Sequence, residues 1–242
     1  MSEENEDIHE IEKAIILDED SPIRRMDPDK KELSLESRLD HYIFNCSQSL
    51  SSISASIEKA DISILLLESA YEDCPESENI TPAEFVEYAI ENYFIRSATI
   101  YDRCLIFVNR LLDLGIANDS IGHQLLVTNE HVKAFKLESK LRAIRRECTE
   151  YRVERNKIVH HGRYSDDNFT NISAMHKANF LSEKEGLDPV IPPETVDYYM
   201  NNVIETQKQE FIDHLEKIKE KVKEFYDSAL PIYGHKKKEL SS

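Results

Sequence analysis

Arg155, Asn156 and His160 sit in the stretch YRVERNKIVHHGR, Tyr151 to Arg163, and their types fit the cleavage of RNA without a metal. Such a reaction needs a base that helps the ribose 2′-hydroxyl attack the adjacent phosphorus. It also needs an acid for the leaving 5′-oxygen and a cation for the charge that builds on phosphorus. Histidine suits the proton work because its unperturbed pKa is ~6.5. Arginine suits the phosphate because its planar fork makes two charge-assisted hydrogen bonds. Asn156 and His160 are four apart, so on a helix they share a face and the amide can orient the imidazole. Arg155 lies ~140° round an ideal helix from His160. One helix therefore unites the pair only through arginine's reach or a distorted helix end, whereas a two-fold dimer sets two copies of the helix end across a shared cleft.

Basic residues surround this stretch. Arg145, Arg152, His161 and Arg163 lie on or beside it, and Arg145, Thr149, Arg152, Asn156, His160 and Arg163 trace one face of a continuous helix. A second polar line, Asn92, Arg96, Thr99 and Arg103, repeats at four-three spacing; it is either a solvated outer face or the border of a cleft. Arg145, Arg152, His161, Arg163, Arg96 and Arg103 are thus the candidate RNA-binding residues. The chain as a whole carries a net charge of −17, which argues against nucleic-acid binding, but the charge is uneven. From His131 to Arg163 there are ten Lys or Arg against four Glu, which makes either a helix whose basic surface pairs with acidic neighbours or one basic face on an acidic body. His160, His161, Asp166 and Asp167 have metal-ligand chemistry, but adjacent histidines on a helix point apart and no HxxxH or HExxH pattern occurs, so no metal is predicted. No P-loop, GxGxxG or GxSxG occurs either, and no cofactor is predicted.

The elements that must position these residues read as helices. Five glycines in 242 residues and few alternating β-branched runs predict an all-α fold, an up-and-down bundle of four to five long helices. Residues 1–33, with twelve acids against five bases, read as an acidic, loosely ordered arm. Residues 34–230 read as the bundle and 231–242 as a frayed, charged tail. Apolar or small residues at 39, 43, 46, 50, 53, 57, 60, 64 and 67 predict a helix from Leu35 to about Tyr71, ended by Cys74-Pro75, with serines that lower its propensity and leave room for a bend. Thr81, Pro82 and Glu84 form a capping box that starts the next helix, which Gly115 stops after Leu114. After a short connector, Asn129 caps a helix from Glu130 to His161, with Gly162 at its end. Its seam (Leu137, Leu141, Ile144, Cys148, Tyr151, Arg155, Ile158) puts an arginine in an apolar slot, which is costly unless it is paired or faces a polar cleft. Residues 163–192 form a connector too long for a bare bundle loop, and Pro192-Pro193-Glu194 opens a last helix that closes before Pro231. An acidic N-terminus, no apolar run of transmembrane length and four scattered cysteines (Cys46, Cys74, Cys104, Cys148) predict a cytoplasmic protein that spans no membrane.

Arg155-Asn156-Lys157-Ile158-Val159-His160 resembles the RX4-6H motif of the HEPN superfamily (higher eukaryotes and prokaryotes nucleotide-binding), in which a polar residue commonly follows the arginine. The resemblance implies a helical bundle over roughly residues 36–230 and a homodimer with the motifs at the interface. It also implies a metal-independent endoribonuclease of the kind found in toxin–antitoxin and anti-phage systems. Arg155 and His160 would be catalytic, Asn156 supporting, RNA the substrate, and an antitoxin or regulatory protein a further partner. The alternative it leaves open is a non-catalytic module that binds RNA, a nucleotide or a protein.

Overall fold

Thr81 shows how local chemistry sets an element here. Its N–H donates to the Glu84 carboxylate at 2.8 Å and its hydroxyl accepts the Glu84 N–H at 3.3 Å, the reciprocal capping pair. In the computed structural model, which describes residues 8–26, 33–71, 74, 80–161, 164 and 167–241, this cap opens a helix from Pro82 to Leu111. Nine α-helices occur among the described residues: α1 Glu10–Ile16, α2 Arg38–Ser69, α3 Pro82–Leu111, α4 His123–Thr128, α5 Glu130–Ala134, α6 Leu137–Cys148, α7 Arg152–His161, α8 Asp167–Lys184 and α9 Pro193–Ser241. No strand occurs among these residues, as an all-α fold requires.

α2 buries Ile43, Cys46, Leu50, Ile53, Ala60, Ile64 and Leu67, the predicted stripe. Its serines do not interrupt it, because the hydroxyls of Ser49, Ser52, Ser56 and Ser63 each bond a carbonyl one turn back. It ends at Ser69; Pro75 lies outside the described residues. α3 stops three residues short of the expected Leu114, because Asp113 already adopts a left-handed φ of 49°. Asn109 then holds the exit by donating to the Ile116 carbonyl and accepting its N–H, at 2.8 and 3.1 Å.

Three stretches depart from expectation, and a fourth, the connector, holds structure of its own. The helix foreseen from Glu130 to His161 is three helices: Asn129 caps α5 as predicted, but Lys136 at φ 58° breaks the chain before α6, and a turn at 149–151 separates α6 from α7. The acidic arm carries α1, whose Ile11 and Ile15 are fully buried. The connector carries α8, closed at Gly186 (φ 67°) by a bond from the Leu187 N–H to the Ser182 carbonyl. α9 continues through Pro231 to Ser241. A proline removes one helical hydrogen bond, but Ile232 and Tyr233 beyond it are buried and Lys237 pairs with Asp18 at 2.7 Å and Asp20 at 2.8 Å.

The described helices fall into two compact units, to both of which α2, α3 and α9 contribute segments. One unit is Met1–Ser56, Thr99–Glu147 and Ile218–Ser242. Within it Tyr42 stacks on Tyr233, Tyr233 donates to Asp18 at 2.6 Å, and Arg25 from the arm pairs with Asp40. The other is Ile57–Ala98 and Cys148–Lys217, and it holds α7.

Candidate functional site

Ten residues are too few for a stable helix alone, so α7 depends on its anchors. On its N-terminal side Tyr151 packs its ring 5.0 Å from Phe94 and 4.7 Å from His214. On its C-terminal side Tyr164 packs 5.6 Å from the same Phe94 and 5.7 Å from Phe169, while its N–H donates to the Glu91 carboxylate. Phe94 is thus gripped by aromatic rings from both ends of α7. Beneath them Tyr93 stacks on Phe211 at 3.8 Å, and its hydroxyl lies 3.0 Å from the Phe211 carbonyl and 2.7 Å from Nδ1 of the buried His214. Burial, then Glu210, Glu150 and Glu154, push the Tyr151 phenol up to about 12, so it stays protonated in neutral solution.

On this mount the three motif residues face differently. Arg155 is half-buried, and its Nε is enclosed with no hydrogen-bond partner. Asn156 is half-buried and His160 exposed, one turn apart on the same face as exposed Arg152. Ile158 fills the core, while Val153 and Val159 are 61% and 54% exposed. Among the described residues no hydrogen bond joins Arg155 to His160, in keeping with their separation round the helix. The apolar slot read from the seam is therefore the slot Arg155 occupies, and it leaves one donor of a permanently charged group unsatisfied.

The wider basic set is divided between the two units. Arg96 and Arg152 belong to the unit that holds α7, and Arg96 Nε donates to Asn92 at 3.1 Å. Arg103 and Arg145 belong to the other unit. The face running from Arg145 to His160 assumed one helix, and the turn between α6 and α7 interrupts it. His161 closes α7; Gly162, Arg163 and Asp166 lie outside the described residues. Nothing in residue spacing announces the cluster of Tyr93, Phe94, Tyr151, Tyr164 and Phe211, whose members come from separate stretches of the chain.

Among the described residues no group of three or more His, Cys, Asp or Glu is placed to hold a metal, and no helix is long and apolar enough to cross a membrane. A family model described as HEPN_Cthe2314-like HEPN matches residues 32–229. No curated protein and no solved structure matches.

Proposed function

The chain belongs to the Cthe2314-like HEPN family, a helical class of RNase or nucleotide-binding modules, and on that premise we propose that it is a metal-independent endoribonuclease acting through Arg155, Asn156 and His160. The observation that carries this reading is the enclosed, unpartnered Nε of Arg155. An arginine whose enclosed Nε finds no partner inside the protein, on a side chain only half-buried, fits a guanidinium kept for an anion that meets its accessible end, and a phosphodiester is such an anion. His160, exposed on the neighbouring face, takes the proton of the ribose 2′-hydroxyl as its oxygen bonds to phosphorus. Asn156 orients the imidazole from one turn away. Arg155 stabilises the charge on the non-bridging oxygens, the bond from phosphorus to the 5′-oxygen breaks, and that oxygen takes a proton from solvent water. The products are a 2′,3′-cyclic phosphate and a 5′-hydroxyl.

Arg155 and His160 diverge on one α7, so the complete constellation forms between two copies of the chain, and exposed Val153 and Val159 supply apolar contact for that pairing. The setting this implies is a cytoplasmic toxin or anti-phage effector restrained by an antitoxin or regulatory protein. Purified protein is expected to cleave single-stranded RNA in EDTA, and Arg155→Ala and His160→Ala are each expected to slow cleavage about 100- to 10,000-fold. Unchanged activity in both variants refutes the assignment. Salt-dependent RNA binding without products favours the second reading, a binding module that uses the same exposed His160 and Arg152 face.

A further inference from the structure

We propose that a cavity between α8 and α9 receives one unpaired base of the RNA strand, with guanine preferred, and that this base sets where the strand lies relative to Arg155 and His160. The proposal deepens the ribonuclease reading and rests on it. The cavity has a volume of about 630 Å³, in the range of small-molecule sites, and it lies in the same unit as α7. Among the described residues no lysine or arginine lines it. What lines it instead is suited to a flat heterocycle: the rings of Tyr164 and Tyr199, the amides of Asn171, Asn202 and Gln207, and one carboxylate, Glu210.

The polar groups are set in a definite order. Tyr164 donates to Gln207 Oε1 at 3.4 Å, and Gln207 Nε2 donates to Glu210 Oε2 at 3.2 Å, which leaves the second carboxylate oxygen of Glu210 open. The side-chain amides of Asn171 and Asn202 make no hydrogen bond among the described residues. An ionised carboxylate only accepts, so it favours a base edge with adjacent N–H donors. Guanine offers its ring N1–H and its 2-amino group side by side, whereas adenine sets an acceptor nitrogen beside its amino group and uracil flanks its one N–H with carbonyls. Asn171 and Asn202 can meet the remaining base edge with either donor or acceptor. The Tyr164 ring, braced by Phe94 and Phe169, offers a rigid stacking face.

Chain length ties this cavity to the motif. Tyr164 follows His160 by four residues, so their Cα atoms are at most about 14 Å apart, the span of about four stacked nucleotides at ~3.4 Å each. A base seated on Tyr164 thus fixes a phosphodiester within a few nucleotides of His160, and the cleavage position would be read from one base.

The test uses the full chain and 2′-O-methyl oligonucleotides, which lack the attacking hydroxyl and so are bound without being cut. Fluorescence anisotropy compares a uridine oligomer carrying one central guanine with the same oligomer carrying adenine or hypoxanthine, which lacks the 2-amino group. The guanine oligomer is expected to bind about tenfold tighter than the adenine one, with hypoxanthine between; Glu210→Gln is expected to lose most of that preference, and Asn202→Ala to weaken all three oligomers alike. Equal affinity for all three oligomers in the wild type, or an undiminished preference in Glu210→Gln, overturns the proposal. Free guanosine 5′-monophosphate is expected to compete only weakly; competition as strong as that of the oligomer overturns the strand as the source and assigns the cavity to a free nucleotide. Arg155→Ala is expected to retain the guanine preference. Base preference without cleavage of natural RNA would sink the ribonuclease reading alone, and cleavage without base preference would sink the cavity alone.

Discussion

Replacing Arg155 by methionine separates a functional arginine from a structural one. Methionine keeps the unbranched apolar stem that lies along the seam and removes the charge and the enclosed Nε. A buried donor without a partner costs about 1–3 kcal/mol. The half-buried position gives part of the guanidinium access to water, so the lower end of that range applies. Arg155→Met is therefore expected to stabilise the fold by about 1 kcal/mol, which for a chain of this size raises Tm by ~2–4 °C. Thermal melts followed by far-ultraviolet circular dichroism, with urea unfolding as a second measure, read the gain. The same preparation is expected to have lost RNA cleavage, the stability–activity trade-off of a site that holds strain for its substrate. A fall in Tm of several degrees refutes the reasoning, because it would make Arg155 a member of a stabilising ion pair rather than a group held ready for phosphate.

Two further perturbations probe what supports the site and the arm. Burial, partly offset by Asp197, holds the His176 imidazole below the usual histidine range, and its Nε2 is enclosed without a partner. The unfolded chain therefore binds a proton that the folded one refuses, so this residue's share of stability is lost as pH falls below ~6.5 and levels off below the folded value. His176→Phe, which keeps the ring packed against Tyr71, is expected to flatten that part of the pH–stability curve measured by urea titration; an unaltered curve refutes it. Against the cost of burial, hydrogen bonds from Lys237 and Tyr233 hold the Asp18 carboxyl below the usual carboxylate range. Its contribution is present above ~3.9 and disappears as pH falls through the folded value, so Asp18→Asn is expected to lower Tm at neutral pH and to converge on wild type in acid.

Local chemistry was readable from the chain where it acts locally. Thr81 with Glu84 and Asn129 each mark a helix start through bonds made within one turn, and Pro193 marks one through its fixed φ. The all-α class and the α2 stripe followed from periodicity. What escaped the sequence depends on distant partners. Nothing about Lys136 announces a left-handed residue, and Pro231 should end a helix that Asp18, over two hundred residues earlier in the chain, helps to hold together through Tyr233 and Lys237. The docking of α1 escaped for the same reason, because Ile11 and Ile15 find cover that composition does not reveal. At the site, counting along the seam placed Arg155 in an apolar slot even though the helix breaks before it. The aromatic mount was not legible, since Tyr93, Phe94, Tyr151 and Phe211 meet only once the helices pack.

Phe94 has a consequence of its own. Because Tyr151 and Tyr164 close on this one ring from opposite ends, α7 has no half that can be released while the other stays seated. A ten-residue helix has little independent stability, so loss of the shared hinge pin lets the whole element fray as a single cooperative unit. On the proposed reading, a residue outside the site thereby governs the geometry of Arg155, Asn156 and His160 together. Temperature-sensitive alleles of this protein should concentrate at Phe94 and the two tyrosines that hold it.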